Sequence, residues 1–230
     1  MECFGLETQE LEGFTQVSSH ISSSRFPEAS KVQCVSHALS SCYRGVLSRV
    51  ATDSATDAPL KFMDGTMLPV CKHKRADDHK VAKGVANFGK NWQGWHFGFK
   101  LHASVTRDGE LCALAFTQAS VHEKNLVPKL LGTFTKIAVG DSSYGGKNLR
   151  ETLWKTRGTY ILAPAFHGQK KLMAKWQEDL LEQRSCIESV FDYLKEHLHL
   201  VTSFPRSVYG YLAHYAMVLL GYQVMKIWGI

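Results

Sequence analysis

The run Arg184-Ser185-Cys186-Ile187-Glu188-Ser189-Val190-Phe191-Asp192-Tyr193-Leu194-Lys195 repeats its apolar residues at helical period. Ile187, Val190, Phe191 and Leu194 stand at i, i+3, i+4 and i+7, the stripe of an amphipathic helix laid on a core. Burying that stripe fixes where the charges point. Arg184, Glu188 and Lys195 then leave the helix on a neighbouring side, a cation, an acid and a cation along one edge. Taken alone, this is more often the pattern of a solvated face with an i, i+4 ion pair.

Two upstream acids give the edge a context. Leu60-Lys61-Phe62-Met63-Asp64-Gly65-Thr66-Met67-Leu68-Pro69-Val70 is an apolar run interrupted by Asp64, and Lys136-Ile137-Ala138-Val139-Gly140-Asp141 is a compact strand pattern ending in an acid before Ser142-Ser143-Tyr144-Gly145-Gly146. A carboxylate buried without a partner costs several kcal/mol, so an aspartate in such a strand calls for a counter-charge, most simply a metal ion. Two aspartates on strands and a glutamate on a later helix make a candidate divalent-cation site.

The remaining chain reads as one α/β unit. Trp95–Val105 and Leu111–Thr117 flank an Asp108-Gly109 turn and predict an antiparallel hairpin. A helix starting near Ala119 and leading to Leu131, the Ile137 strand, a helix from Lys147 to Arg157, a strand over Thr159–Ala165 and a long helix bearing Glu188 follow. A mixed sheet with helices on its faces buries such a set. Upstream, Val35, Ala38, Leu39, Cys42, Val46, Leu47 and Val50 predict a single helix before the polar linker Thr52–Asp57. Tyr211–Ile230 is long and apolar, but His214, Gln223 and Lys226 interrupt it, and a packed terminal helix is the expectation rather than a membrane span.

Composition narrows the function classes. A net charge of +6 and eleven histidines favour a polyanionic partner. Six cysteines without a C-x-x-C pair signal neither a zinc module nor a disulfide framework, and with no secretory signal the expectation is a cytoplasmic protein with reduced thiols. No G-x-G-x-x-G or G-x-x-x-x-G-K run is present, which removes the usual nucleotide-binding readings. His102 and His122 lack a zinc-spaced partner and read as structural histidines. The stretch Cys71–Lys83 is cationic, and Lys72, Lys74, Arg75, Lys80 and Lys83 are candidates for contacts to a phosphate backbone. Trp92 and Trp95 are expected in the core, with stacking on an unpaired base as the other reading.

In this order the motifs resemble a known family. Met63-Asp64-Gly65-Thr66-Met67-Leu68-Pro69-Val70-Cys71, Phe97-Gly98-Phe99-Lys100-Leu101-His102, Ala119-Ser120-Val121-His122-Glu123, Gly140-Asp141-Ser142-Ser143-Tyr144 and Arg184-x-x-x-Glu188 with Lys195 beyond it are similar to the DDE-superfamily transposases of bacterial insertion sequences. The resemblance implies a ribonuclease H-like domain over residues 56–230, a mixed five-stranded sheet flanked by helices, and residues 1–55 as the remnant of an N-terminal helical DNA-binding region. It makes Asp64, Asp141 and Glu188 the catalytic and metal-binding triad, and Arg184 and Lys195 contacts to DNA phosphates. It further implies Mg2+, with Mn2+ as a substitute, a homodimer on double-stranded DNA carrying terminal inverted repeats and target, and metal-dependent strand cleavage and strand transfer. Relatives often place Lys-Gly after the second aspartate, where Ser142-Ser143 stand here. A catalytically silent DNA-binding remnant and a ribonuclease H-like nuclease without strand transfer are the alternatives.

Overall fold

The computed structural model describes residues 58–91, 93–165 and 172–229. The expected helix over Val35–Val50, the proposed division at residue 55 and Trp92 lie outside these residues. The sheet is assembled from β1 (Leu60–Cys71), β2 (Asn87–Asn91), β3 (Gly94–Val105), β4 (Leu111–Gln118), β5 (Ile137–Val139) and β6 (Tyr160–Leu162). The helices are α1 (Val127–Leu130), α2 (Lys147–Arg157), α3 (Lys175–Glu182), α4 (Ser185–Glu196) and α5 (Val208–Trp228).

Strands β1, β3 and β4 form an antiparallel meander, and β5 and β6 join the other side of β1 in parallel. The fold is α/β and ribonuclease H-like, a mixed sheet ordered β4-β3-β1-β5-β6 with helices on both faces. One strand exceeds the sequence expectation of five. The short β2 pairs with Gly94–Gly98 of β3, and β4 pairs with Phe99–Val105, so the two share one edge of β3 end to end. The seam is at Gly98, where an added Cβ would lie 2.2 Å from the Leu68 carbonyl oxygen. With five residues and a glycine in its middle, β2 offers little period-2 signal in the sequence.

Alternation along β1 divides the core. Phe62, Leu68 and Val70 face a cluster built with α4 and α5, while Met63 faces a second cluster containing Val127 and Leu130 of α1, Leu153 of α2 and Tyr144. The stripe Ile187, Val190, Phe191 and Leu194 is buried as its spacing predicts. The long helix expected around Glu188 is divided, because the chain turns at Gln183 and Arg184 between α3 and α4. The segment after β4 is likewise shorter in helix than expected, a 3₁₀ turn over Glu123–Asn125 followed by the one-turn α1. Helix α5 buries Tyr211, Leu212, Tyr215, Leu219, Tyr222 and Gln223, and its Gln223 side chain accepts a hydrogen bond from the Leu111 amide at 2.9 Å. No helix among the described residues is long and apolar enough to cross a membrane.

Candidate metal centre

Strands β1 and β5 run in parallel register from Leu60 opposite Ile137 to Phe62 opposite Val139. Beyond that last pair they separate, and each carries its aspartate two residues further on, Asp64 and Asp141. The acids therefore arrive together where the parallel pairing stops, Asp64 inside β1 and Asp141 just past the carboxyl end of β5, with β1 between an antiparallel partner on one side and a parallel one on the other. Open α/β sheets form their clefts at such points. Asp141 also caps the 3₁₀ turn Ser142–Tyr144, accepting from the Ser143 amide at 2.9 Å. Behind it, Gly140 leaves room for the Tyr144 ring, since a Cβ there would lie 2.6 Å from Tyr144 Cδ2.

A third acid completes the cluster, and it is Glu123. One carboxylate oxygen from each of Asp64, Glu123 and Asp141 lies within 4.8 Å of the other two. The Ser143 hydroxyl stands 2.7 Å from Glu123 Oε2 and 2.5 Å from Asp141 Oδ1. A hydroxyl has one hydrogen, so it donates to one of these carboxylates and leaves the other without that donor. Lys100 Nζ approaches Glu123 Oε1 at 3.4 Å and donates to the Val121 carbonyl at 3.3 Å. Asp64 accepts from the Gly65 amide at 2.8 Å. Burial, the nearby Glu123 and Asp141 charges acting with it, pushes its carboxyl up to about 7 against the pull of the Gly65 amide and Arg184. Such a group is short of positive charge. Hard oxygen donors around a cation-sized gap fit magnesium or manganese and have none of the sulfur or imidazole that marks a zinc site.

Glu188 is outside this group of three. It is half exposed in the first turn of α4, where the helix N-terminus favours a negative charge. Arg184 joins it to the cluster: Nη2 lies 2.6 Å from Glu188 Oε1 and Nη1 3.7 Å from Asp64 Oδ2. One guanidinium thus reaches both acids, as a planar fork can. Lys195 is partly buried further along α4. Burial lowers its pKa, and the charges of Asp192, Asp64 and Glu196 oppose that shift. Lys72, Lys74, Arg75, Lys80 and Lys83 are all exposed, on the loop between β1 and β2.

The model for the transposase DDE domain matches residues 54–208, more than half of the sequence. The chain belongs to the DDE transposase family. No curated protein matches it. In this transposase Asp64 stands within β1 and Asp141 just past the end of β5, while Glu188 and Lys195 lie on α4 and Arg184 in the turn that precedes it. Glu123 received no role in the sequence reading, although it ends one of the family-like motifs. Its signal was Gly65, a glycine inside a strand directly after an acid, which marks close approach by another segment. A Cβ on Gly65 would meet Glu123 Oε1 at 3.1 Å. His102 is structural as expected: fully buried, Nε2 2.9 Å from Thr117 Oγ1, its pKa pushed down to about 3 by burial and then by Lys100. Trp95 departs from the core expectation, being 55% exposed with Lys90 Nζ 5.8 Å from its ring centroid.

Proposed function

We propose that this transposase cleaves DNA strands and joins them to a target at one divalent-metal site, with Asp64, Asp141 and Glu188 as the acids that act. The observation that carries this reading is the meeting of Asp64 and Asp141 where the β1–β5 pairing stops, with Arg184 linking Asp64 to Glu188. Mg2+, or Mn2+ in its place, would be held by these carboxylates. When bound, a metal pair supplies activation of the attacking oxygen and charge stabilisation of the leaving one.

The side chains around the acids have separable tasks. Arg184 keeps Glu188 turned toward Asp64 and is placed to grip a phosphate once a cation takes over its carboxylates. Lys195 follows Glu188 by two helical turns, about 10 Å of rise, and would hold the phosphate next to the scissile one as a point charge. The exposed cations from Lys72 to Lys83 would bind backbone phosphates without reading sequence. A homodimer on inverted-repeat DNA would bring one such site to each element end.

The test is an in vitro reaction on a plasmid carrying the DNA that flanks the gene, with Mg2+ or Mn2+. The expected result is cleavage at element ends and joined product, both abolished by Asp64→Asn, Asp141→Asn and Glu188→Gln while DNA binding survives. Cleavage without any joined product would make the protein a nuclease. Undiminished cleavage by the Asp64 and Asp141 variants would remove the assignment.

A further inference from the structure

We propose that Glu123 is itself a ligand of the divalent cation held by Asp64 and Asp141, a fourth acid beside the three that act. The inference rests on the metal-site reading above and adds a residue to it.

The geometry is that of a donor brought to an ion. Asp64, Glu123 and Asp141 already present mutually close oxygens, whereas Glu188 is occupied by Arg184. The charge at the cluster is unbalanced. Three carboxylates face Lys100 and a share of Arg184, with Lys100 at 3.4 Å and Arg184 at 3.7 Å, beyond good hydrogen-bond range. Partly buried like charges at this separation repel strongly unless a cation enters.

The backbone is shaped for this approach. Gly65, directly after Asp64, has no side chain where Glu123 stands, and Cβ contacts of 3.1–3.3 Å to its Oε1, Cγ and Cδ would force the carboxylate to give way. The 3₁₀ turn carrying Glu123 is anchored by buried Leu126 and Val127, so the acid sits on a packed support. A second observation points to a guest. The Tyr144 hydroxyl is fully buried and has no hydrogen-bond partner, and the charges of Glu123, Asp64 and Asp141 all bear on it. A phenol left without an acceptor beside three carboxylates is an unused donor at the site. A water kept by a bound Mg2+ or Mn2+ would be such a partner, since these ions retain several of their waters.

The competing role for Glu123 is a structural carboxylate that fastens its loop to Ser143 and Lys100. Titration with Mn2+, followed by the electron paramagnetic resonance of the free ion, separates the two without requiring turnover. The full-length wild type should bind Mn2+, and Glu123→Gln should weaken binding by at least about tenfold. Glu123→Asp, which keeps the charge at shorter reach, should fall between them and covers the case in which the glutamine variant fails to fold. Ser143→Ala removes only a hydroxyl partner of two ligands and should weaken binding by less than Glu123→Gln does. Wild-type affinity in Glu123→Gln together with loss in Asp64→Asn would overturn the proposal and leave the Asp64 site standing. Loss in Ser143→Ala equal to that in Glu123→Gln would also overturn it, since the tie and not ligation would then matter. Equal weak binding by wild type and Asp64→Asn would overturn the metal site and Glu123 with it.

Discussion

Replacing Asp64 by asparagine should make the metal-free protein more stable at neutral pH, although it destroys the site. Asp64 titrates near 7 in the folded protein against 3.8 for the free side chain. Between those values the native state keeps a proton that the unfolded chain has lost, so Asp64 contributes stability that is complete below about pH 4 and is lost as pH rises through 7. A shift of about three units at about 1.4 kcal/mol each makes the full swing roughly 4 kcal/mol. The swing is large because the carboxyl is mostly buried and stands among like charges, with Arg184 too distant to offset them. The assay is urea unfolding of wild type and Asp64→Asn in EDTA from pH 4 to 8.5, at matched ionic strength. The variant removes this titration and little else, so the difference between the two stabilities isolates it. That difference should turn against the wild type by several kcal/mol between pH 4.5 and 7.5 and then level off. Millimolar Mn2+ at pH 7.5 should restore stability to the wild type and not to the variant. Parallel curves within about 0.5 kcal/mol over the whole range would mean that Asp64 is an ordinary solvated carboxylate, and the argument for a cation-seeking site would fall with it.

Gly98→Ala should destabilise the fold by about 3 kcal/mol or more, because the new methyl meets the backbone oxygen of Leu68 and not a side chain able to move. Chemical denaturation would measure it, and a change under about 0.5 kcal/mol would mean that β1 and β3 are less tightly apposed at Leu68 and Gly98 than the Cβ contact requires. Lys195→Ala should lower strand cleavage by about tenfold to a hundredfold, the effect of about 1–3 kcal/mol, and Lys195→Arg should keep part of it. Wild-type cleavage by Lys195→Ala across a range of salt would reduce the lysine to surface charge. Neutralising Lys72, Lys74 and Arg75 together should weaken binding to all DNA sequences alike and reduce the salt slope by about one per lost phosphate contact. An unchanged slope in a filter-binding or anisotropy titration would return the loop to solvent.

What the sequence made legible was what periodicity and turn chemistry report. The stripe Ile187–Leu194, the Asp108-Gly109 hairpin and the helix Lys147–Arg157 each follow from local pattern, and each stands where expected. The two aspartates were legible because an acid within or ending an apolar strand is anomalous by itself. Glu123 was not, because an acid in a polar turn is unremarkable until β4 delivers it against Gly65, a contact between distant segments. The break at Gln183 and Arg184 was equally hidden, since the residues of α3 and α4 suit a continuous helix and the turn carries neither Gly nor Pro. Strand β2 escaped for want of length, and the exposure of Trp95 depends on an edge position that composition does not reveal.

The parallel pairing of β1 with β5 also bears on when the acid cluster comes into being. The two strands are separated in sequence by the whole antiparallel meander and α1, so their union closes a long loop and comes late among the contacts the chain can make. Until then Asp64 and Asp141 are carboxylates on separate pieces of chain, and a ribosome-bound or partly melted copy has no assembled acid cluster. A lesion that loosens only the β1–β5 contact would therefore part the two aspartates while leaving the cationic surface intact.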